Sequence, residues 1–244
     1  MKDTSHNDSV KAMILAAGLG TRLKPLTDTR PKALLEINGR TLLERSITHL
    51  AIAGVREIII NVHHFADQII DYLKVHEDFG IHISVSDESG QLLDTGGGLK
   101  KVAAFFHDNK PFIVRNVDII SDLDFSKMLN FHQRNSAIAT LAVRKRETSR
   151  YFLFDHSDQL VGWTNSKTNE SIQTREISGN IRKLAFSGIQ ILDPKIFSLI
   201  TEEGKFSLTE LYLRLAKDRK IICYEENDSK WKDIGKSVYD LNEE

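Results

Sequence analysis

The chain has 244 residues, 41% of them hydrophobic and 27% charged, with 33 Lys plus Arg against 34 Asp plus Glu. That length allows one large α/β domain or two small ones, and the apolar share supports a sizeable core. The near-neutral balance argues against a general nucleic-acid binder. The single Cys223 excludes an internal disulfide and a multi-cysteine metal site, and no apolar run approaches the ~18–20 residues that span a bilayer.

Residues 1–10 are polar and lack the apolar stretch of a secretory signal, so they read as a frayed tail on a cytoplasmic protein in a reducing compartment. Residues 12–17 form a short apolar run that ends in Gly18, the pattern of a buried strand entering a turn. A long loop over 18–32 follows, with Pro25 and Pro31 and four cations. The spacing then predicts a helix over 41–53, with Thr41 as N-cap and Gly54 as stop, a strand over 56–62, and a helix over 66–75. A strand over 81–85, a helix over 96–106 after a glycine cluster, a strand over 112–117, a helix over 125–135 and a strand over 138–144 continue the alternation. Such alternation implies an α/β fold with a Rossmann-like, mixed but mostly parallel sheet and helices on both faces.

Beyond Arg144 the rhythm changes. Residues 151–154 and 159–163 read as a hairpin, and 164–183 as a polar excursion, either a flap or a solvated loop. A strand over 185–192, a short helix over 195–200, a helix over 207–218 with Ser207 and Glu210 as a capping box, and a strand over 221–225 complete the domain. No hexapeptide repeat follows, so an appended parallel β-helix is not expected.

The chemistry concentrates in residues 11–40. Gly18-Leu19-Gly20-Thr21-Arg22 leaves the first strand, and glycines there let backbone N–H groups approach a phosphate. Arg22, Lys24, Arg30 and Lys32 crowd four cations into eleven positions, which suits a polyphosphate at the carboxyl end of a parallel strand. The Rossmann fingerprint fails because Leu23 holds its third glycine's place, and the P-loop pattern fails for want of Gly-Lys-[Ser/Thr].

Gly18-Leu19-Gly20-Thr21-Arg22-Leu23 followed by Pro31-Lys32 resembles the signature of the sugar-1-phosphate nucleotidyltransferases. The resemblance runs over nearly the whole chain through Asp94-Thr95-Gly96-Gly97-Gly98, Asn116-Val117-Asp118, Phe186-Ser187-Gly188-Ile189 and Trp231-Lys232-Asp233-Ile234-Gly235. The wording looks most like N-acetylmuramate-1-phosphate uridylyltransferases, with mannose-1-phosphate guanylyltransferases a near second. The resemblance implies the nucleotide-diphospho-sugar transferase type of fold in one domain over 11–244, with 11–144 holding the nucleotide and 145–244 the sugar. It further implies transfer of a nucleotidyl group from a nucleoside triphosphate to a sugar 1-phosphate, making a cell-wall or polysaccharide precursor and pyrophosphate. Mg²⁺ would sit on Asp118 and Asp233. Arg22 and Lys32 would be catalytic. Leu15, Ala16, Ala17, Gly18, Gly20, Thr21, Arg22, Thr95, Gly96 and Gly97 would bind the nucleotide, and Lys32, Asn116, Ser187 and Gly188 the acceptor. The partners expected are these small molecules, with no nucleic acid or membrane, for a monomer or small homo-oligomer.

Two positions depart from the family pattern. Val117 stands where a glycine or another small residue is usual. No Glu-Lys-Pro segment supplies the lysine that contacts the sugar phosphate, since Gly162-Trp163-Thr164-Asn165 occupies that region; Lys167, Arg182 and Lys183 are the candidates to replace it. Among other residues, Asp122 and Asp124 compete as metal ligands, with capping of the next helix favoured for them. His63 and His64 are read as structural or sugar-proximal, Cys223 as a core thiol, and Trp163 and Trp231 as packing. A regulatory homologue that binds nucleotide sugars without turnover would lack Arg22, Lys32 or an acid, and this chain has them all. A phosphocholine-type cytidylyltransferase is the third class considered.

Overall fold

The computed structural model describes residues 10–176 and 179–235, so the tail expected over residues 1–10 lies almost wholly outside the described residues. In the amino-terminal half, strands β1 (Lys11–Leu15), β2 (Glu36–Ile37) and β3 (Arg40–Thr41) precede helix α1 (Leu42–Ile52). Then come β4 (Glu57–Val62), α2 (Ala66–Val75), β5 (His82–Asp87), α3 (Asp94–Lys101), β6 (Phe112–Asn116), β7 (Ile119–Ser121), α4 (Phe125–Asn135) and β8 (Ala139–Arg144). The remainder comprises β9 (Arg150–Phe154), β10 (Leu160–Asn165), β11 (Glu170–Gln173), β12 (Arg182–Leu192), α5 (Ile196–Leu199), α6 (Leu208–Leu215), β13 (Ile221–Glu225) and β14 (Trp231–Asp233).

Ten strands make one mixed sheet. β1 lies between β4 and β6, parallel to both, and β5 extends the parallel part beyond β4. Every residue of β1 is buried, as expected of a strand covered on both faces. Alternate residues feed separate cores: Ala12 and Ile14 join the cluster under α1 and α2, and Met13 and Leu15 join the one under α6. On the far side of β6 the sheet turns antiparallel at β12. That 11-residue strand pairs with β6 through residues 189–192, with β8 through 185–186 and 190–192, and with β9 through Arg182–Leu184, the last leading into the β9–β10–β11 meander.

The helix caps follow the chain's local chemistry. The Thr41 side chain accepts from Glu44 N, Asp124 from Lys127 N, and Ser207 forms the full capping box with Glu210. Some boundaries differ from the spacing. The glycines of 96–98 lie inside α3, which begins at Asp94 and gives way to a 3₁₀ turn over Ala103–Phe106. The helix over 195–200 shrinks to a single turn, and the one over 207–218 ends at Leu215. Much of the polar stretch over 164–183 is ordered as the β10–β11 hairpin, because its backbone groups pair across Trp163–Ile172 and Asn165–Glu170.

Two histidines, one half-buried (His49) and one buried (His132), sit at interior polar contacts. His49 Nε2 bonds to Leu123 O at 3.1 Å and its Nδ1 faces Arg115 Nη1 at 3.0 Å; His132 Nδ1 meets Thr140 Oγ1 at 2.8 Å. Burial, with Arg115 adding to it at His49, pushes both imidazoles down to about 4. Both folded values lie below the ordinary 6.5, so the unfolded chain takes up these protons first. Stability should therefore fall as pH drops from about 6.5 toward 4. Urea midpoints measured across that range should decline for the native chain, and the decline should be shallower for a His49→Gln/His132→Gln variant.

Candidate active site

β1 delivers the chain to the carboxyl edge of the parallel strands. Residues 15–23 there line a cleft of about 400 Å³, together with Lys32, Asn61, Asp94, Thr95, Asn116, Asp118 and Gly235. The loop after β1 is tightly built. Gly20 has φ +65°, and a Cβ on it would stand 2.9 Å from Thr27 Cγ2. Thr27 Oγ1 donates to Gly20 O at 2.9 Å, and Leu23 and Thr27 are buried beneath the loop. Thr21–Leu23 and Lys32–Leu34 are 3₁₀ turns, so the stretch over 18–32 is a folded cradle rather than an irregular loop. Arg22 lines the cleft from an exposed position.

Beneath this cradle runs a buried polar chain not foreseen in the sequence. Ala16 N donates to Asn61 Oδ1 at 2.9 Å, Asn61 Nδ2 donates to Glu88 Oε1 at 2.8 Å, and Glu88 Oε2 accepts from Leu93 N at 3.1 Å. Asn61 and Glu88 are each 2% exposed. The chain links the end of β1 to the start of α3, so the two walls of the cleft hold a fixed separation.

The charged centre forms where two distant segments meet. β14 pairs antiparallel with β7, setting Asp233 opposite Ile119, and Ile234 N donates to Asp118 O at 3.0 Å. Lys32 Nζ forms an ion pair with Asp118 Oδ2. A Cβ placed on Gly235 would lie 2.5 Å from Lys32 Nζ, 2.7 Å from Asp118 Oδ2 and 2.9 Å from Asp233 Oδ1. One ammonium and two carboxylates thus converge on one point, and glycine at 235 leaves it open. No group of three or more His, Cys, Asp or Glu able to hold a metal occurs among the described residues. The two carboxylates fit a hard divalent ion such as Mg²⁺ whose remaining ligands are waters and phosphate oxygens. Asp122 is engaged elsewhere, its Oδ1 accepting from Lys230 N at 2.7 Å, and Asp124 caps α4.

Behind Asp118, Arg115 is 1% exposed. Its Nη2 donates to Ile119 O and its Nη1 faces His49 Nδ1. Burial pushes the guanidinium down to about 10, and the nearby Asp118 carboxylate works against that shift. With His49 neutral, its Nδ1 accepts from Arg115 and its Nε2–H donates to Leu123 O. The turn that carries Asp118 is thereby held from inside.

The remaining site candidates separate by position. Thr95 and Asp94 line the cleft, whereas Gly96 and Gly97 do not. The N–H groups of both glycines donate to Phe206 O, and a side chain on them would collide with the Phe206 ring and with Gly204 O respectively. These glycines are required by a close approach of chain. Gly188 has φ +77°, and a Cβ there would stand 2.7 Å from Ile119 Cγ1 and 3.1 Å from Asn116 Nδ2. Ser187 is fully buried beside it, its O accepting from Trp231 Nε1 at 2.9 Å. His63 Nδ1 bonds to Glu88 O and lines neither this cleft nor its neighbour; the Cys223 thiol is pushed up to about 12, chiefly by burial.

A second cleft, of about 770 Å³, opens from the first and shares Leu15, Asp94, Thr95 and Asn116 with it. Phe152, Trp163, Ile172, Phe186 and Arg150 line it, and Trp163 also packs against the core under α6, as expected. None of Lys167, Arg182 and Lys183 reaches either cleft. Arg182 is held by Asp158 and Glu225. The cation that lines the second cleft is Arg150, which the sequence reading passed over.

The profile of the nucleotidyl transferase family matches residues 11–243. The chain is 33% identical to an N-acetylmuramate alpha-1-phosphate uridylyltransferase of Caulobacter vibrioides, over 92% of this chain and 91% of that protein. It is 32% identical to a mannose-1-phosphate guanyltransferase of Yarrowia lipolytica, over 93% of this chain but only 61% of that longer protein. The crystal structure of HddC from Yersinia pseudotuberculosis complexed with GMP-PN superposes with a TM-score of 0.73 at 25% identity, covering 95% of this chain and 96% of that one.

The different work done by the glycines is measurable. Gly18→Ala meets nothing within 4 Å and should leave the melting temperature within about a degree, while Gly96→Ala drives a methyl into the Phe206 ring. The latter should cost ~1–3 kcal/mol, the usual scale of overpacking, read by thermal or urea denaturation of the two variants side by side.

Proposed function

The chain belongs to the nucleotidyl transferase family, and we propose that it transfers a nucleotidyl group from a nucleoside triphosphate to a sugar 1-phosphate, releasing pyrophosphate. The substrates proposed are UTP and N-acetylmuramate 1-phosphate, in keeping with the relative that this chain matches over nearly its full length. GTP and mannose 1-phosphate form the second reading, supported by the 32% identity to a guanyltransferase. The observation that carries the proposal is the convergence of Lys32, Asp118 and Asp233 on the open point beside Gly235, with Lys32, Asp118 and Gly235 lining the first cleft.

The chemistry is set by charge. A phosphate monoester has a second pKa near 6, so the acceptor is already largely dianionic at neutral pH and needs no general base. The obstacle is bringing it against a triphosphate. One unit-charge pair at 4 Å costs about 4 kcal/mol at an effective dielectric of ~20, and several such pairs arise together. Residues 11–144 take the nucleotide and 145–244 the acceptor. The backbone of Leu15, Ala16, Ala17, Gly18 and Gly20 and the side chains of Thr21 and Thr95 border the base and ribose. Arg22, exposed at the rim, meets the triphosphate and stabilises the charge that builds on the leaving pyrophosphate. Lys32 neutralises charge at the reacting phosphorus. Asn116 and Gly188 border the acceptor, with Ser187 packed behind them, and Arg150 meets the acceptor's phosphate from the meander.

Asp118 and Asp233 are the residues that would hold Mg²⁺, which supplies charge neutralisation and in-line alignment between the two phosphates when bound. The Lys32 ammonium is paired with Asp118, which keeps the lysine at the cleft where the phosphates would meet.

Pyrophosphate release measured across UTP, GTP, dTTP and CTP with a panel of sugar 1-phosphates and with choline phosphate should show turnover that needs a divalent cation. No turnover with any pair would sink the proposal. Asp118→Ala and Asp233→Ala should each lose at least ~100-fold in kcat, the scale of removing metal-based charge stabilisation. Arg150→Ala should raise KM for the acceptor by ~10–100-fold, as expected for one lost hydrogen bond to a charged group. Its KM for the nucleotide should stay near the native value.

A further inference from the structure

The strand that carries Asp233 is braced by residues outside the first cleft. Trp231 and Asp233 are two residues apart on β14, so their side chains share one face, Trp231 opposite Ser121 and Asp233 opposite Ile119. The ladder to β7 is only three residue pairs long. So short a pairing is marginal by itself, and the attitude of Asp233 depends on whatever holds Trp231.

Trp231 Nε1 donates to Ser187 O at 2.9 Å, and two guanidinium groups lie over its ring, Arg144 Cζ at 5.0 Å and Arg146 Cζ at 4.6 Å from the centroid. The two arginines reach in different directions. Arg144 Nη2 donates to Glu226 O and Ser229 O, each at 2.8 Å, and so fixes the turn ahead of β14. Arg146 Nη2 donates to Phe186 O at 3.0 Å. Successive carbonyls at 186 and 187 therefore accept from Arg146 and Trp231. The next residue is Gly188, which stands against Ile119 and Asn116. Arg146 is half-buried and lines neither cleft, so its place is behind the site. Burial lowers its guanidinium, and the Asp233 carboxylate opposes that shift, so the two charges lie within electrostatic reach.

We infer that Arg146 is a positioning residue for the divalent ion: by clamping the Trp231 ring to the backbone at 186–187, it fixes Asp233 at the point shared with Lys32 and Asp118. The inference rests on Asp233 as a metal ligand, as in the reaction proposed above, and adds the residue that sets its position. Charge and position act in opposite directions here, which makes the role separable. Removing a cation near Asp233 strengthens the attraction of that carboxylate for another cation. Removing a clamp loosens the ligand and weakens binding.

The test titrates Mn²⁺ onto the full chain without substrates and follows the free ion by paramagnetic resonance. Arg146→Met keeps an unbranched apolar stem against the ring but loses the charge and the bond to Phe186 O. It should bind Mn²⁺ ~10-fold more weakly, the lower end of what groups behind a metal ligand supply. Trp231→Phe changes no charge and removes the bond to Ser187 O, and it should weaken Mn²⁺ in the same direction. In turnover, kcat of Arg146→Met should fall at limiting Mg²⁺ while KM for the nucleotide stays near the native value. Unchanged or tighter Mn²⁺ binding in either variant overturns the inference. Should Arg146→Met lose its native circular dichroism, Arg146→Lys takes its place, since lysine keeps the charge but lacks the planar fork. Weaker Mn²⁺ binding by Arg146→Lys then supports the clamp, and native affinity overturns it. Asp233→Ala separates the inference from its premise. If Asp233→Ala binds Mn²⁺ like the native chain, the metal assignment fails and the inference falls with it. If Asp233→Ala loses Mn²⁺ and Arg146→Met does not, the clamp alone is refuted.

Discussion

Everything in the site depends on holding Lys32, Asp118 and Asp233 within reach of one another around a point that no side chain fills. The Lys32 ammonium is paired with Asp118, and a side chain at 235 would begin within 3 Å of all three charged groups. Glycine there lets the ammonium and both carboxylates share the site. The two carboxylates are separated by more than a hundred residues and are joined by a ladder of only three residue pairs, β7 with β14. That ladder lies outside the main sheet, so the site is assembled by a small local structure resting on a large rigid one. Rigidity comes from the sheet, and the geometry that matters for charge comes from the ladder.

Interior polar groups supply the rest of the precision. Arg115 is an unusual residue for the centre of a parallel strand, because an arginine without a carboxylate partner in direct contact is costly to bury. Its hydrogen bonds run to Ile119 O and His49, and its nearest opposite charge is the Asp118 carboxylate. The strand therefore braces the turn it leads into. The Asn61–Glu88 pair does the same for the opposite wall of the cleft, fastening the exit of β1 to the start of α3. Both braces keep the binding surfaces formed before substrate arrives, which is how electrostatic catalysis avoids reorganisation during the reaction.

Much of this was legible in the sequence because apolar periodicity and capping chemistry are local. The strands at 11–15, 57–62 and 112–116 and the caps at Thr41, Asp124 and Ser207 follow from residues within a few positions. What escaped is long-range or depends on turn chemistry. The β2–β3 hairpin was overlooked although Asn38 and Gly39, both with positive φ, are the dipeptide such a turn prefers. The hairpin over 164–173 was hidden by the polarity of β11, since an edge strand exposed along its whole length carries no alternation. The packing of Gly96 and Gly97 against Phe206 and Gly204 was not legible, because a glycine run looks the same whether it admits a ligand or another stretch of chain. Arg150 and Asn61 gave no local sign at all: one is a lone cation on a strand end, the other a single polar residue in an apolar strand.

The contact that makes those glycines necessary also ties the two halves of the molecule together. Phe206 O receives the N–H groups of Gly96 and Gly97, Phe206 N returns a bond to Leu93 O, and Thr95 Oγ1 accepts from Leu208 N. Helices α3 and α6 are stitched at their amino termini into one unit. Under the proposed division of the chain, the parts that would take the two substrates are therefore not modular. A chimera that imports an acceptor-binding half from a relative must carry the matching 93–98 segment across with it, or the seam between donor and recipient will fall through the stitch.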